Sequence, residues 1–198
     1  MTDTDTADAD PLAGVPDWDD EYLDRVSDRL MHNYDLRKDE DVQGERFDLA
    51  GALHVENRKQ LIHPSIRYAE HDAREYVFAR RTDAVSVESV DALSELGEAL
   101  ADEWIDADEE HYETGFTFVV VAPEIPGDVR AFVRSHGGRT LLKYGYYGRY
   151  EVNLVVVAPD REDVVASEHA DVASAFTLWD VDETEESAVR RLIQLFRG

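Results

Sequence analysis

The sequence predicts an α+β domain: a mainly antiparallel sheet, made of a β-meander plus a β-hairpin, with helices packed chiefly on one face. Three patterns carry that prediction. Residues 46–56 alternate with a period of two, residues 87–104 repeat apolar side chains every three or four, and residues 139–160, RTLLKYGYYGRYEVNLVVVAPD, read as two strands around a glycine- and tyrosine-rich turn. One domain over residues 17–198 suits the length of 198 residues. Residues 1–16, rich in Asp, Thr and Ala and then broken by Pro11, Gly14 and Pro16, predict a disordered acidic tail.

In chain order, Asp17 offers a helix N-cap, and Trp18, Tyr22, Val26 and Leu30 follow at a spacing of four, with Leu23 alongside. Asp19, Asp20, Asp24 and Asp28 fall outside that stripe, and the early acids suit the helix dipole. Residues 33–45 are polar and charged and read as a loop. From Arg46, the series Phe47, Leu49, Gly51, Leu53 and Val55 alternates with Asp48, Ala50, Ala52, His54 and Glu56. Asn57 and Arg58 turn the chain into a second strand over 60–68, which Pro64 demotes to an edge or bulged strand. A third strand over 74–81 completes an antiparallel meander.

Ser86 caps the long helix, whose stripe is Val87, Val90, Leu93, Leu96, Leu100 and Trp104. A strongly apolar strand over 115–123 follows. Pro126 and Asp128 start another helix, with Val129, Phe132 and Val133 inward, and Gly137 and Gly138 end it. The hairpin strands cover 140–144 and 150–158, with Gly145 and Gly148 in the turn available for positive φ. Asp160 is read as the cap of a helix through Val164 and Val165, residues 175–179 as a short strand, and Thr184 as the cap of a last helix with Val189, Leu192, Ile193 and Phe196 inward. One internal echo stands out: VVVAPE at 119–124 and VVVAPD at 155–160.

Composition sets the setting. Against 45 acidic residues stand 20 basic ones, only three of them lysine, for a net charge of −25. Repulsion on that scale opposes a compact state in dilute salt. It is screened where molar salt shortens the Debye length to about 3 Å. The acids are spread along the chain, so the expectation is a carboxylate-coated protein of a salt-in halophile. The chain has no cysteine, which excludes disulfides, thiol nucleophiles and cysteine metal sites. The first residues lack the basic and apolar parts of a signal peptide, and no apolar run approaches the ~20 residues of a membrane span, so a cytoplasmic location with no membrane partner is expected.

No spacing amounts to a specific catalytic or cofactor motif, and neither cofactor nor metal is expected. His54 and Glu56 form an H-x-E pair, but the zinc deaminases that use one also need cysteine ligands. No G-x-S-x-G, Walker or dinucleotide loop occurs. The order helix, three strands, helix, strand matches the core of PD-(D/E)xK nucleases. That chemistry needs an Asp on one strand and Glu-x-Lys on the next; Asp48 is present, but Glu75 is followed by Tyr76 and Val77. An active nuclease is therefore disfavoured, and an enzyme or degenerate nuclease-like domain acting on a phosphate-bearing ligand stands as the alternative reading.

Two basic-aromatic patches remain as ligand or interface candidates. One is His54, Arg58 and Lys59; the other is Arg139, Lys143, Tyr144, Tyr146, Tyr147 and Arg149. Cations among tyrosines suit base stacking, protein contacts, or a hairpin whose arginines pair with surplus carboxylates. A net charge of −25 disfavours nucleic acid, so the leading expectation is a non-enzymatic binding or interaction domain, with a homodimer as the simplest partner. The run FDLAGALHVENRKQLIHPSIRYAEHDAREYVFARR, with RTLLKYGYYGRYEVNLVVVAP, resembles an uncharacterised haloarchaeal family. More distantly it is similar to uncharacterised bacterial proteins with a D-L-x-G-x-x-H-x-R-x-x-K-like segment, carried here by Asp48, Leu49, Gly51, His54 and, with shifted spacing, Arg58 and Lys59. The resemblance implies that both patches belong to one domain. It implies no activity, substrate or catalytic residue.

Overall fold

A computed structural model of the chain describes residues 16–57, 71–106 and 111–180. The acidic tail through residue 15, the strand read over 60–68 and the last helix lie outside the described residues, as do Arg58 and Lys59.

Helix α1 (Glu21–Leu30) starts later than expected, because Asp20 rather than Asp17 accepts the first free amides, those of Tyr22 and Leu23. Trp18 is buried ahead of the helix, and its indole N–H donates to the Asp48 carbonyl at 2.8 Å. The segment read as a loop instead forms β1 (Asp35–Val42), paired antiparallel with β2 (Glu45–Asn57). Its side chains alternate between exposed and half-buried, so an edge strand can be charged throughout. Gln43 and Gly44, with φ of 51° and 88°, make the two-residue turn between them.

The alternation expected from Phe47 onward is broken. Phe47 packs in one core cluster and Leu49 in the other, and the pairing with β1 skips Asp39 and Asp48. Asp39, on β1, has φ of 56°, so the ladder is irregular between the pairs that flank it.

Strand β3 (His71–Arg81) pairs antiparallel with β2, and then the sheet changes sense. Helix α2 (Val87–Trp104) carries the chain over to β4 (His111–Val121), parallel to β3. Helix α3 (Gly127–Ser135) and the short β5 (Gly138–Leu141) lead to β6 (Arg149–Ala158), parallel to β4. Strand order is β1-β2-β3-β4-β6-β5, with β7 (Asp163–Ala166) also on β6. The sheet is thus mixed rather than mainly antiparallel: the outer pairings are antiparallel and the two central ones parallel. The valine echo marks this centre. Val119, Val120 and Val121 lie beside Val155, Val156 and Val157 in register, and strands covered on both faces read as continuous apolar runs.

The expected hairpin is present, with positive φ at both Gly145 and Gly148, but its first strand is Gly138–Leu141 rather than 140–144, and residues 142–148 rather than 145–149 connect the strands. Two other expectations fail. Val164 and Val165 belong to β7 and not to a helix, because β6 offers them a free edge and β-branched residues suit it. Residues 175–179 lie in two short 3-10 segments, Asp171–Phe176 and Leu178–Asp180.

Helices cover both faces. Ser86 and Ser89 close a capping box, and α2 then lays Val90, Leu93, Leu96 and Leu100 on Phe116, Phe118, Val152 and Leu154, with α3 beside it. Gly97 lets the helix touch the sheet, since a Cβ there would come within 2.6 Å of Val152 Cγ1. On the opposite face, α1 and the Asp171–Phe176 segment cover Leu49, Val77, Val119 and Val155. The expected one-sided packing therefore describes α2 and α3 but not α1.

Candidate functional site

The α1 side of the sheet changes character along its strands. Alternate residues share a face. Near the carboxyl ends, the positions on this face are Val77 and Ala79, Val119 and Val121, Val155 and Val157, all buried. Near the amino ends, the same series reads Glu75 on β3, Glu113, Gly115 and Thr117 on β4, and Arg149, Glu151 and Asn153 on β6. These side chains, with Arg139 from β5 and His169, Asp171 and Val172 from the segment that follows β7, line a cavity of about 290 Å³.

Register builds the sheet side of the cavity. Glu75, Gly115 and Glu151 stand in one row across β3, β4 and β6. The row puts the outer Cα atoms about 10 Å apart, two strand spacings. Glycine at its centre leaves the space between the carboxylates clear. Glu151 is only 6% exposed. Arg139 Nε donates to its Oε1, and Arg149 Nε lies 3.5 Å from the same oxygen. Arg149 also forks Glu113 through two bonds of 3.0 and 2.7 Å, and its guanidinium lies over the Tyr112 ring at 5.3 Å. Burial opposes the Arg149 charge, but the Tyr112 hydroxyl and Glu113 outweigh it and raise its pKa.

Glu75 accepts the Tyr34 hydroxyl at 2.7 Å; burial first, and then this carboxylate, raise the tyrosine's pKa above its ordinary value. Asn153 is 8% exposed, and its Oδ1 accepts from the Ser167 hydroxyl at 3.2 Å. Its amide nitrogen has no partner among the described residues.

Of the residues singled out from sequence, Arg139 and Arg149 line this cavity. His54 is exposed on β2 opposite Arg74, and strand alternation turns it to the other face from the cavity. Lys143 and Tyr144 sit in the hairpin turn with φ of 45° and 59°. Tyr144 and Tyr146 are 96% and 84% exposed, while the Tyr147 carbonyl bonds the His111 ring. Tyr146 and Arg149 border a separate cleft with Leu141 and Tyr112.

A nuclease-type arrangement is not assembled. Asp48 accepts the Arg81 amide at the far end of β3, and Glu75 pairs with Leu53, five residues along β2. That is roughly 17 Å of strand. Among the described residues no group of three or more His, Asp or Glu side chains is placed to hold a metal ion, and no described helix is long and apolar enough to cross a membrane.

The cavity residues that sequence reading passed over are Glu113, Thr117, Glu151, Asn153, His169 and Asp171, and Glu75 was weighed only as a nuclease acid. Their signal was available: each valine-rich strand switches to polar residues at every second position toward its amino end, as in Arg149-x-Glu151-x-Asn153.

Fold and site together define a small mixed-sheet α+β domain with a charged cavity on one sheet face. By sequence, the chain belongs to the family described as a domain of unknown function, DUF8052, whose model matches residues 19–178. No curated protein and no solved structure matches.

Proposed function

We propose that this chain is a non-enzymatic binding domain of a halophile's cytoplasm, and that it holds a small polar molecule in the cavity between Glu75 and Glu151. The observation that carries the reading is Asn153, nine-tenths buried at the cavity, with an amide N–H₂ lacking a partner among the described residues. Burying such a donor without a partner costs about 1–3 kcal/mol. Four residues along the strand, valine fills the equivalent depth at no such cost. Polar groups kept at a structural expense are the mark of a binding surface.

Glu151→Leu combined with Asn153→Val is the test. Equilibrium dialysis against a small-molecule extract in molar KCl, read by mass spectrometry and thermal unfolding, should show a retained compound for the wild type. The double variant should still fold, which the same thermal scans check, and retain nothing. Equal retention by both would remove the cavity from the function. The halophile setting predicts that the wild type's unfolding midpoint rises from about 0.1 M to molar salt as repulsion is screened. A flat response would exclude it.

The hairpin turn supports a second, separate role as a contact with another copy of the chain. Tyr144, Tyr146 and Leu141 are exposed together, and β5 ends the strand order with its outer edge unpaired among the described residues. Sedimentation in molar KCl, with Tyr144→Ser and Tyr146→Ser in parallel, tests it; a concentration-independent wild-type monomer removes it.

A further inference from the structure

We infer that the molecule held in this cavity is a small amine: its ammonium lies at the rim, on Glu75 and Asp171, and a hydrogen-bond acceptor reaches the floor, on Asn153. The inference rests on the cavity being a binding site and assigns the chemistry of what it binds.

The charges decide it. Four carboxylates, those of Glu75, Glu113, Glu151 and Asp171, share the lining with the guanidiniums of Arg139 and Arg149. Both guanidiniums are already committed. Arg149 is forked on Glu113 and leans toward Glu151, which Arg139 also holds. What remains is two negative charges. Glu75 has only the neutral Tyr34 hydroxyl as a described hydrogen-bond partner, and the Asp171 carboxylate accepts nothing from the described residues. The two are near enough that both charges bear on the Tyr34 hydroxyl. Both stand at the exposed side of the cavity, where a cation arrives without full desolvation.

The floor asks for the opposite partner. Asn153 has its Oδ1 satisfied by Ser167, so what it offers the cavity is a donor. Thr117, equally buried, adds a hydroxyl that makes no bond to the described residues. A carbonyl, carboxylate or hydroxyl oxygen on the ligand would meet both. An inorganic or phosphate anion fits badly, because it would displace Glu113 or Glu151 from their arginines and face the unneutralised pair. A bare metal ion fits badly too, since no described set of three ligands converges. A cavity of about 290 Å³ limits the guest to metabolite size.

Calorimetric titration and thermal shift in molar KCl would use three matched probe sets: amino acids and short amino alcohols, their N-acetylated counterparts, and dicarboxylates of the same length. Binding is expected for members of the first set and lost on acetylation. Glu75→Gln with Asp171→Asn should weaken it by about tenfold or more. Both side chains are exposed, so the variant should unfold at the wild-type midpoint, which the same thermal scans check. Preference for the acetylated or dicarboxylate probes overturns the amine assignment and leaves the cavity reading standing. An unchanged affinity in the double variant overturns it as well. If a compound from the cell extract is retained but no amine binds, the amine assignment alone fails. If nothing at all is retained, the cavity reading fails with it.

Discussion

Val155 and Glu151 stand four residues apart on β6, on the same face of the same sheet, and both are buried. Val155 lies in the cluster that α1 and Phe176 complete, while Glu151 holds the guanidinium of Arg139 over an open cavity. The apolar half gains roughly 1.5–3 kcal/mol for each large side chain it removes from water. The polar half must repay the desolvation of a carboxylate and an amide before it contributes anything. One stretch of sheet is therefore built for stability and the adjoining stretch for something else.

The sharpest way to break this contrast is to damage the apolar half. Phe176 is fully buried against α1, and its carbonyl accepts the Tyr22 hydroxyl. Phe176→Ala should cost about 3–5 kcal/mol in chemical denaturation at molar KCl. A loss below about 1 kcal/mol would mean that α1 is held by something other than this packing.

Next comes Glu151→Gln. It keeps the shape but removes the charge that Arg139 and Arg149 share. Arg149 retains Glu113, and Arg139 is half exposed and free to turn to water. The expected loss is about 1–2 kcal/mol. A loss as large as that from Phe176→Ala would make the polar half a structural element after all.

How legible this division was depended on which property each residue encodes. The α2 stripe, its Ser86 cap and the hairpin glycines were read correctly, because spacing and positive φ are local properties. Strand β1 was not. Asp35–Val42 lies at the sheet edge, and an edge strand needs no apolar alternation. The parallel centre was hinted at by the repeated VVVAP, but which strands pair depends on where α2 and α3 pack. The cavity was missed for a related reason. In a chain with 45 acidic residues, Glu75, Glu113 and Glu151 look like more surface charge until register puts them on one face. The tyrosine-rich turn stood out in sequence for the opposite reason: aromatic residues are rare enough there to notice, yet only Arg139 and Arg149 link it to the cavity.

Alkaline titration probes both halves at once. Tyr22 closes the apolar half and Tyr34 the polar one, and burial is the first cause raising both pKa values. Arg81 and Arg29 pull Tyr22 back down, whereas Glu75 and Asp171 push Tyr34 further up. A phenol whose pKa is raised by folding contributes stability that is complete below its unfolded value, about 10, and is lost as pH rises through the folded value. Unfolding midpoints should therefore fall above about pH 10. Tyr22→Phe and Tyr34→Phe should each flatten that fall. If neither does, the two hydroxyls ionise as freely in the fold as outside it.

The smallest effect concerns how α1 is fastened over the apolar half. Asp20 caps the helix through the amides of Tyr22 and Leu23 and also grips Arg81 at the end of β3. Asp20→Asn separates the two roles, because asparagine caps as well as aspartate but carries no charge. Both partners are partly exposed, and molar salt screens them, so the variant should lose less than about 1 kcal/mol. Arg81 is the main cause lowering the Asp20 pKa, so the sign of the pH dependence is fixed. The contribution is present above the ordinary carboxylate value, about 4, and disappears as pH falls through the lower folded value. Wild type and variant should converge in acid and separate slightly at neutral pH. A gap above about 2 kcal/mol at neutral pH, larger than exposed ion pairs supply, would show that charge rather than apolar burial fastens α1. The division between the two halves of the face would then have to be redrawn.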